Sequence, residues 1–274
     1  MTATLEPGAP ATRARTYFLL TFGWSLGFWS ALLLLGGPAP GSALFYLGGA
    51  GPLVAALIVI HVLETAPARR DFWRRTFDPR LIPSRWLLVA LTVHPLVVVS
   101  AQLVDLALGG TLAADPAMPA GPLDLATLVV FVLLFGPLPE EMGWRGVGLD
   151  RLQRRFQPLT ASLVLGLTWA GWHLPLFFMA GTFQHRLGFA GPRFWIFMGA
   201  LIPLSVLITW VYNHARRSIL AAVLVHFTGN LCGALLDKSD RVASLELVGL
   251  VLAAAVVIAR EGAALGRPPE SSRR

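Results

Sequence analysis

From Thr16 to Leu63 the chain contains no Asp, Glu, Lys or Arg, and one short break, Gly36-Gly37-Pro38-Ala39-Pro40-Gly41, divides the run in two. A bilayer core takes about 20 predominantly apolar residues per helix. The run therefore predicts two spans, near 16–35 and 44–63, joined by a tight turn. Six more apolar segments follow, near 86–108, 123–140, 158–178, 194–213, 218–236 and 243–259, the last interrupted by Glu246. The expected fold is all-α, a polytopic integral membrane protein of about eight transmembrane helices. Composition agrees. Hydrophobic residues make up 55% of the 274, only 14% are charged, and the mean hydropathy is +0.65. A soluble domain carries about 25% charged residues; a soluble enzyme or a disordered chain is excluded on those grounds. The lone Cys232 leaves no internal disulfide and no multi-cysteine metal site.

Basic residues orient the spans. With the N-terminus in the cytoplasm, all but four of the 22 Lys and Arg fall on inner segments, among them Arg13, Arg15, Arg69, Arg70, Arg151, Arg154, Arg155, Arg216 and Arg274. The exceptions are Arg186, Arg193, Lys238 and Arg241. Cytoplasmic loops carry such an excess, so both termini are expected in the cytoplasm and the protein in the plasma (inner) membrane. The domain reading is a cytoplasmic tail at 1–15 and N-terminal spans at 16–122, with a basic cytoplasmic loop at 64–86. A second transmembrane unit at 123–236 follows, then a last helix and tail at 237–274. In the 64–86 loop Phe72, Trp73, Phe77 and Trp86 interleave with arginines, as in a segment lying on an anionic leaflet. No nucleic-acid motif accompanies the charge, so the bilayer is the expected partner and nucleic acid is not.

Ionisable groups inside spans are costly and each is a functional candidate. His61 sits at a span end. His94 and Asp105 lie on one helix, about 16 Å apart along its axis, too far to act together. Gly23-Trp24-Ser25-Leu26-Gly27 fits the nucleophile pattern G-x-S-x-G, but inside a span it reads as a G-x-x-x-G helix-packing face.

The remaining polar residues form three groups in order. Glu140-Glu141-Met142-Gly143-Trp144-Arg145 ends span four, Trp169 precedes His173 by four in span five, and His226 precedes Asn230 by four in span seven. Glu141 and Arg145, at i and i+4 with the acid first, are spaced for an ion pair, which leaves Glu140 with no partner in its own helix. His226 and Asn230 share a helix face. Trp169 is placed to pack beneath the His173 ring. Pro137 and Pro139 suit the first turn of a fresh helix at the glutamates.

These elements resemble the CPBP intramembrane protease family, also called Abi. It includes the type II CAAX prenyl endopeptidases and proteins linked to bacteriocin processing and self-immunity. Its pattern is E-E-x-x-x-R, an aromatic residue four before a histidine, and H-x-x-x-N or H-x-x-x-D. Glu140, Glu141 and Arg145 match the first, Trp169 and His173 the second, with Trp where Phe is common, and His226 and Asn230 the third. The resemblance implies hydrolysis of a peptide bond in a membrane-associated protein or peptide, with Glu140, His173, His226 and Asn230 as catalytic residues. Glu140 serves as base toward water, His173 positions that water, and His226 and Asn230 donate to the oxyanion. The alternative is a divalent metal, Zn, held by Glu140, His173 and His226. The helical H-E-x-x-H zinc motif is absent. A non-catalytic membrane immunity or partner-binding protein on the same scaffold is the competing function, and the intact polar set argues against it.

One expectation conflicts with another. If span four ends near Glu140, that residue lies roughly 25 Å in from the outer side, close to the inner edge. His173 lies roughly 22 Å from the inner side. Straight helices of those lengths would hold the two apart.

Overall fold

The computed structural model describes residues 9–36, 39–111, 118–236 and 239–267, all of them helix or connecting turn with no strand. Lys238, Arg273 and Arg274 and most of the two tails lie outside the described residues. The first helix, α1 (Ala9–Leu35), begins earlier than the 1–15 tail allowed. It is followed by α2 (Ala43–Gly49) and α3 (Gly51–Val62), which are bent by 52° at their junction, where Pro52 opens the second of the pair. Next come α4 (Ala66–Phe77), a 3-10 turn at Pro79–Leu81 and α5 (Ser84–Ala107). One longer rod combines α6 (Pro122–Phe135), α7 (Pro137–Gly143), a π-helical turn (Trp144–Leu149) and α8 (Asp150–Leu152). The chain continues with α9 (Pro158–His173), α10 (Phe183–Leu187), α11 (Pro192–His214), α12 (Ile219–Leu235) and α13 (Asp240–Glu261).

Six helical segments are long and apolar enough to cross a bilayer, and the bent α2–α3 pair makes a seventh if it counts as one span. The seventh expected segment, 218–236, forms α12, an apolar helix of 17 residues that is shorter than those six. The protein is therefore an all-helical polytopic membrane protein. Inside lipid, helices are held by close packing and hydrogen bonds rather than by hydrophobic association. Both are visible where α1 meets α2 and α3. A Cβ on Gly48 would fall 2.2 Å from Trp29 Nε1, and one on Gly51 2.1 Å from Ser25 Oγ. Only glycine permits that approach.

That contact corrects the G-x-x-x-G reading. Gly23 and Gly27 face open space, with nothing within 4 Å of an added Cβ. The residue between them makes the contact: Ser25, fully buried, donates to Gly48 O and accepts from Trp172 Nε1 at 2.8 Å. A helical serine engaged on both sides is not a nucleophile at a strand-to-helix turn. The other intramembrane candidates are also paired. His94 Nε2 lies 3.4 Å from Glu246 Oε1, and Asp105 pairs with Arg241. Both pairs tie α5 to α13, which accounts for the glutamate in the last apolar segment.

Two further expectations change. The loop at 64–86 contains α4, and its basic face is not wholly turned to a leaflet. Phe72 and Arg75 point inward, the arginine to Asp71, Tyr212 Oη at 2.8 Å and Gly146 O. Span four does not end at Glu140. Gly136, at φ −139° and ψ −97°, interrupts the α-helix, Pro137 restarts it, and the rod runs on to Leu152. The continuation is physically allowed because the charges after Glu140 are neutralised within the protein instead of facing lipid.

Candidate active site

Continuation of the rod resolves the mismatch in depth. Glu140 lies twelve residues, about 18 Å, before Leu152, and His173 lies fifteen residues, about 22 Å, after Pro158. The short turn between these two ends joins them at one side of the molecule, so both side chains reach a similar level.

They meet around one indole. Trp169, 1% exposed, donates from Nε1 to Glu140 Oε2 at 2.7 Å. Its backbone carbonyl lies 2.9 Å from His173 Nδ1. Its ring stands 5.0 Å from the His226 ring in T-shaped contact, and the Arg145 guanidinium lies 5.1 Å from its centroid. Sequence reading gave Trp169 a supporting place beneath His173. Its N–H bond to Glu140 was not foreseen, although the choice of Trp over Phe, which has no donor, was the available signal.

Glu141 and Arg145 form the expected pair, Oε1 to Nη1 at 2.9 Å, with both side chains wholly buried. The same carboxylate oxygen lies 2.9 Å from His226 Nδ1. The adjacent glutamates thus face different partners, as their roughly 100° separation on a helix requires. Arg145 is also steadied by Ser205 Oγ at 3.1 Å, and Ser205 in turn donates to Ser162 O. Sequence reading missed both serines. The available hint was a small residue at 162 followed by Gly166 four later, a face on which helices approach closely. A Cβ on Gly166 would meet α11 at 3.1 Å.

The two histidines are oriented alike. A backbone carbonyl and an ion-paired carboxylate can only accept, so each Nδ1 carries a hydrogen and each Nε2 is left for other chemistry. The His173 ring is further walled by Trp172 at 5.0 Å and Phe197 at 5.3 Å. Glu140, His173 and His226 are each under 10% exposed. Asn230, one turn beyond His226, is exposed and stands beside the interruption at Gly136, where an added Cβ would lie 3.4 Å from its Nδ2. Of the predicted residues, Glu140, His173, His226 and Arg145 surround Trp169, Glu141 pairs with Arg145 and His226, and Asn230 lies at their edge. Glu140, His173 and His226 were also the candidate metal ligands. Among the described residues, no three His, Cys, Asp or Glu side chains are grouped so as to hold a metal ion.

Comparison with known proteins agrees with the motifs. The model of the Rce1-like type II CAAX prenyl endopeptidase family matches residues 122–232, which contain all three motifs. CAAX prenyl protease 2 of Methanococcus maripaludis is 29% identical over 254 residues, covering 89% of this chain and 92% of that relative.

Proposed function

We propose that this type II CAAX prenyl endopeptidase-like chain is a membrane-embedded endopeptidase that cleaves a peptide bond in a membrane-associated protein or peptide, with 123–236 as its catalytic unit. The observation that carries the reading is the placement of Glu140, held by one N–H from Trp169 beside two histidines with free Nε2 atoms. In the proposed reaction Glu140 takes a proton from a water molecule positioned by His173 Nε2, and the water oxygen attacks the scissile carbonyl carbon. His226, through Nε2, and the Asn230 amide donate to the developing oxyanion. The C–N bond then breaks, Glu140 passes its proton to the leaving amine, and the products are a carboxylate and an amine.

The substrate proposed from the family and the relative is a protein with a prenylated C-terminal cysteine motif. Purified protein incubated with host membrane proteins should generate new C-termini that a Glu140→Gln control does not. Paired peptides with and without the prenyl group test substrate class, and equal cleavage of both would remove the prenyl requirement. Exhaustive chelation separates two chemistries. Retained activity supports the glutamate–histidine mechanism, and loss restored by Zn²⁺ supports a metal-dependent one. The distribution of basic residues supports a cytoplasmic location for both termini in the plasma membrane. Reporter fusions after Arg80 and Arg274 should both give a cytoplasmic signal; an external signal at either overturns the orientation.

A further inference from the structure

From the basic end of the molecule a crevice of about 550 Å³ opens between α1 and α9. Its two ends differ in chemistry. The lower end presents Arg15, Arg154 and Arg155, all exposed, with Arg151 behind them. Arg151 is already held by Glu64 at 2.5 Å and Arg154 by Asp150 at 3.3 Å. Arg15 and Arg155 have no carboxylate partner among the described residues, and Arg155 lies 5.5 Å over the Phe156 ring. The upper end is apolar. Phe18 lines it from α1, and Val164 and Thr168, one turn apart, line it from α9. Those two lie about 9 and 15 Å along the helix from Pro158, a depth that belongs to acyl chains and not to headgroups.

We propose that this crevice is a binding site for an anionic phospholipid of the leaflet at the basic end, with the phosphate on Arg15 and Arg155 and one acyl chain along Phe18, Val164 and Thr168. Charge and depth together select that ligand. Basic pockets between transmembrane helices at the cytoplasmic side bind acidic lipid headgroups, and two uncompensated guanidinium groups match one phosphodiester by bidentate hydrogen bonds. A soluble anion would satisfy the arginines and leave the apolar half empty. A neutral lipid would fill the groove and gain less from the charge.

The test uses the full chain purified in detergent and native mass spectrometry. The probes are diacyl phosphatidylglycerol, diacyl phosphatidylcholine of the same chains, and glycerol phosphate as the headgroup alone. Phosphatidylglycerol should be retained about tenfold more strongly than phosphatidylcholine, and that preference should be lost in Arg15→Gln/Arg155→Gln. Val164→Trp, which fills the acyl half at a partly lipid-facing position, should reduce phosphatidylglycerol retention without moving the thermal unfolding midpoint. Should the double arginine variant fail to fold, Val164→Trp decides alone. Equal retention of both lipids by the wild type overturns the proposal. So does competition by glycerol phosphate as effective as that of the diacyl lipid, or undiminished retention in the folded variants.

Discussion

Two of the regions in which the protein holds buried carboxylates treat them differently. At the basic end Asp150 is met by Arg217, Arg154 and Arg151, and Glu64 by Arg151 and Arg13, so each acid has more than one cation. At the Trp169 cluster one Glu141 oxygen meets a single arginine and a histidine, and Glu140 is held by one neutral N–H. The arginines also differ in their access to water. Arg154 and Arg217 have side chains 47% and 45% exposed, whereas Arg145 is at 0%. Over-compensated acids at a wet boundary fasten helix ends. Sparsely compensated acids in a dry one keep lone pairs uncommitted, as the proposed reaction requires.

Four substitutions test that contrast, in falling order of effect. Glu140→Gln keeps shape and the Trp169 contact but removes the base. It should fold and insert normally while peptidase activity falls 10²–10⁴-fold, the usual worth of a positioned base. More than about a tenth of wild-type activity would refute the assignment. Glu141→Gln strands the Arg145 guanidinium away from water, and breaking such a pair costs about 3–5 kcal/mol. The loss should appear in thermal stability and membrane yield, and Glu141→Gln/Arg145→Met should recover part of it. If the single variant is as stable as the wild type, the pair is not the anchor described.

Trp169→Phe keeps the ring and deletes the donor. A hydrogen bond to a charged group contributes about 1.5–3 kcal/mol, and the expected result is a fall in kcat of about tenfold with KM nearly constant. An unchanged kcat would reduce Trp169 to packing. Asp150→Asn removes the same charge as Glu141→Gln, but Arg154 and Arg217 can turn to water. It should cost only about 1 kcal/mol in stability and leave turnover per folded molecule unaltered. A loss as large as that of Glu141→Gln would erase the distinction between the two regions.

Much of this was readable from residues in order. The apolar runs are long enough to name helices, and i, i+4 spacing named the Glu141–Arg145 pair. What escaped depended on contacts between helices that lie far apart in the chain. Ser205 reaches Arg145 across sixty positions, and Glu246 meets His94 across more than twice that span, neither within any local pattern. The end of span four was misplaced for a related reason. Hydropathy treats a charged residue as a mark of water, and Arg145 meets a carboxylate and a serine instead. The glycines at 23 and 27 failed in the opposite sense, since a packing motif records only that close approach is permitted.

The π-helical turn at Trp144–Leu149 lies between the two acidic regions on one rod, and it sets their phase. Such a turn takes up one extra residue, so everything beyond it is rotated by about 100° relative to an uninterrupted α-helix. Asp150 and Arg151 face Arg217 and Glu64, while Glu140 faces Trp169, only with that offset in place. The segment behaves as a gear tooth. Deleting one residue from it would leave length and hydropathy almost unchanged and turn Asp150 away from its arginines. The number of residues in this turn is therefore a constraint of its own, separate from the ion pair that Arg145 makes within it.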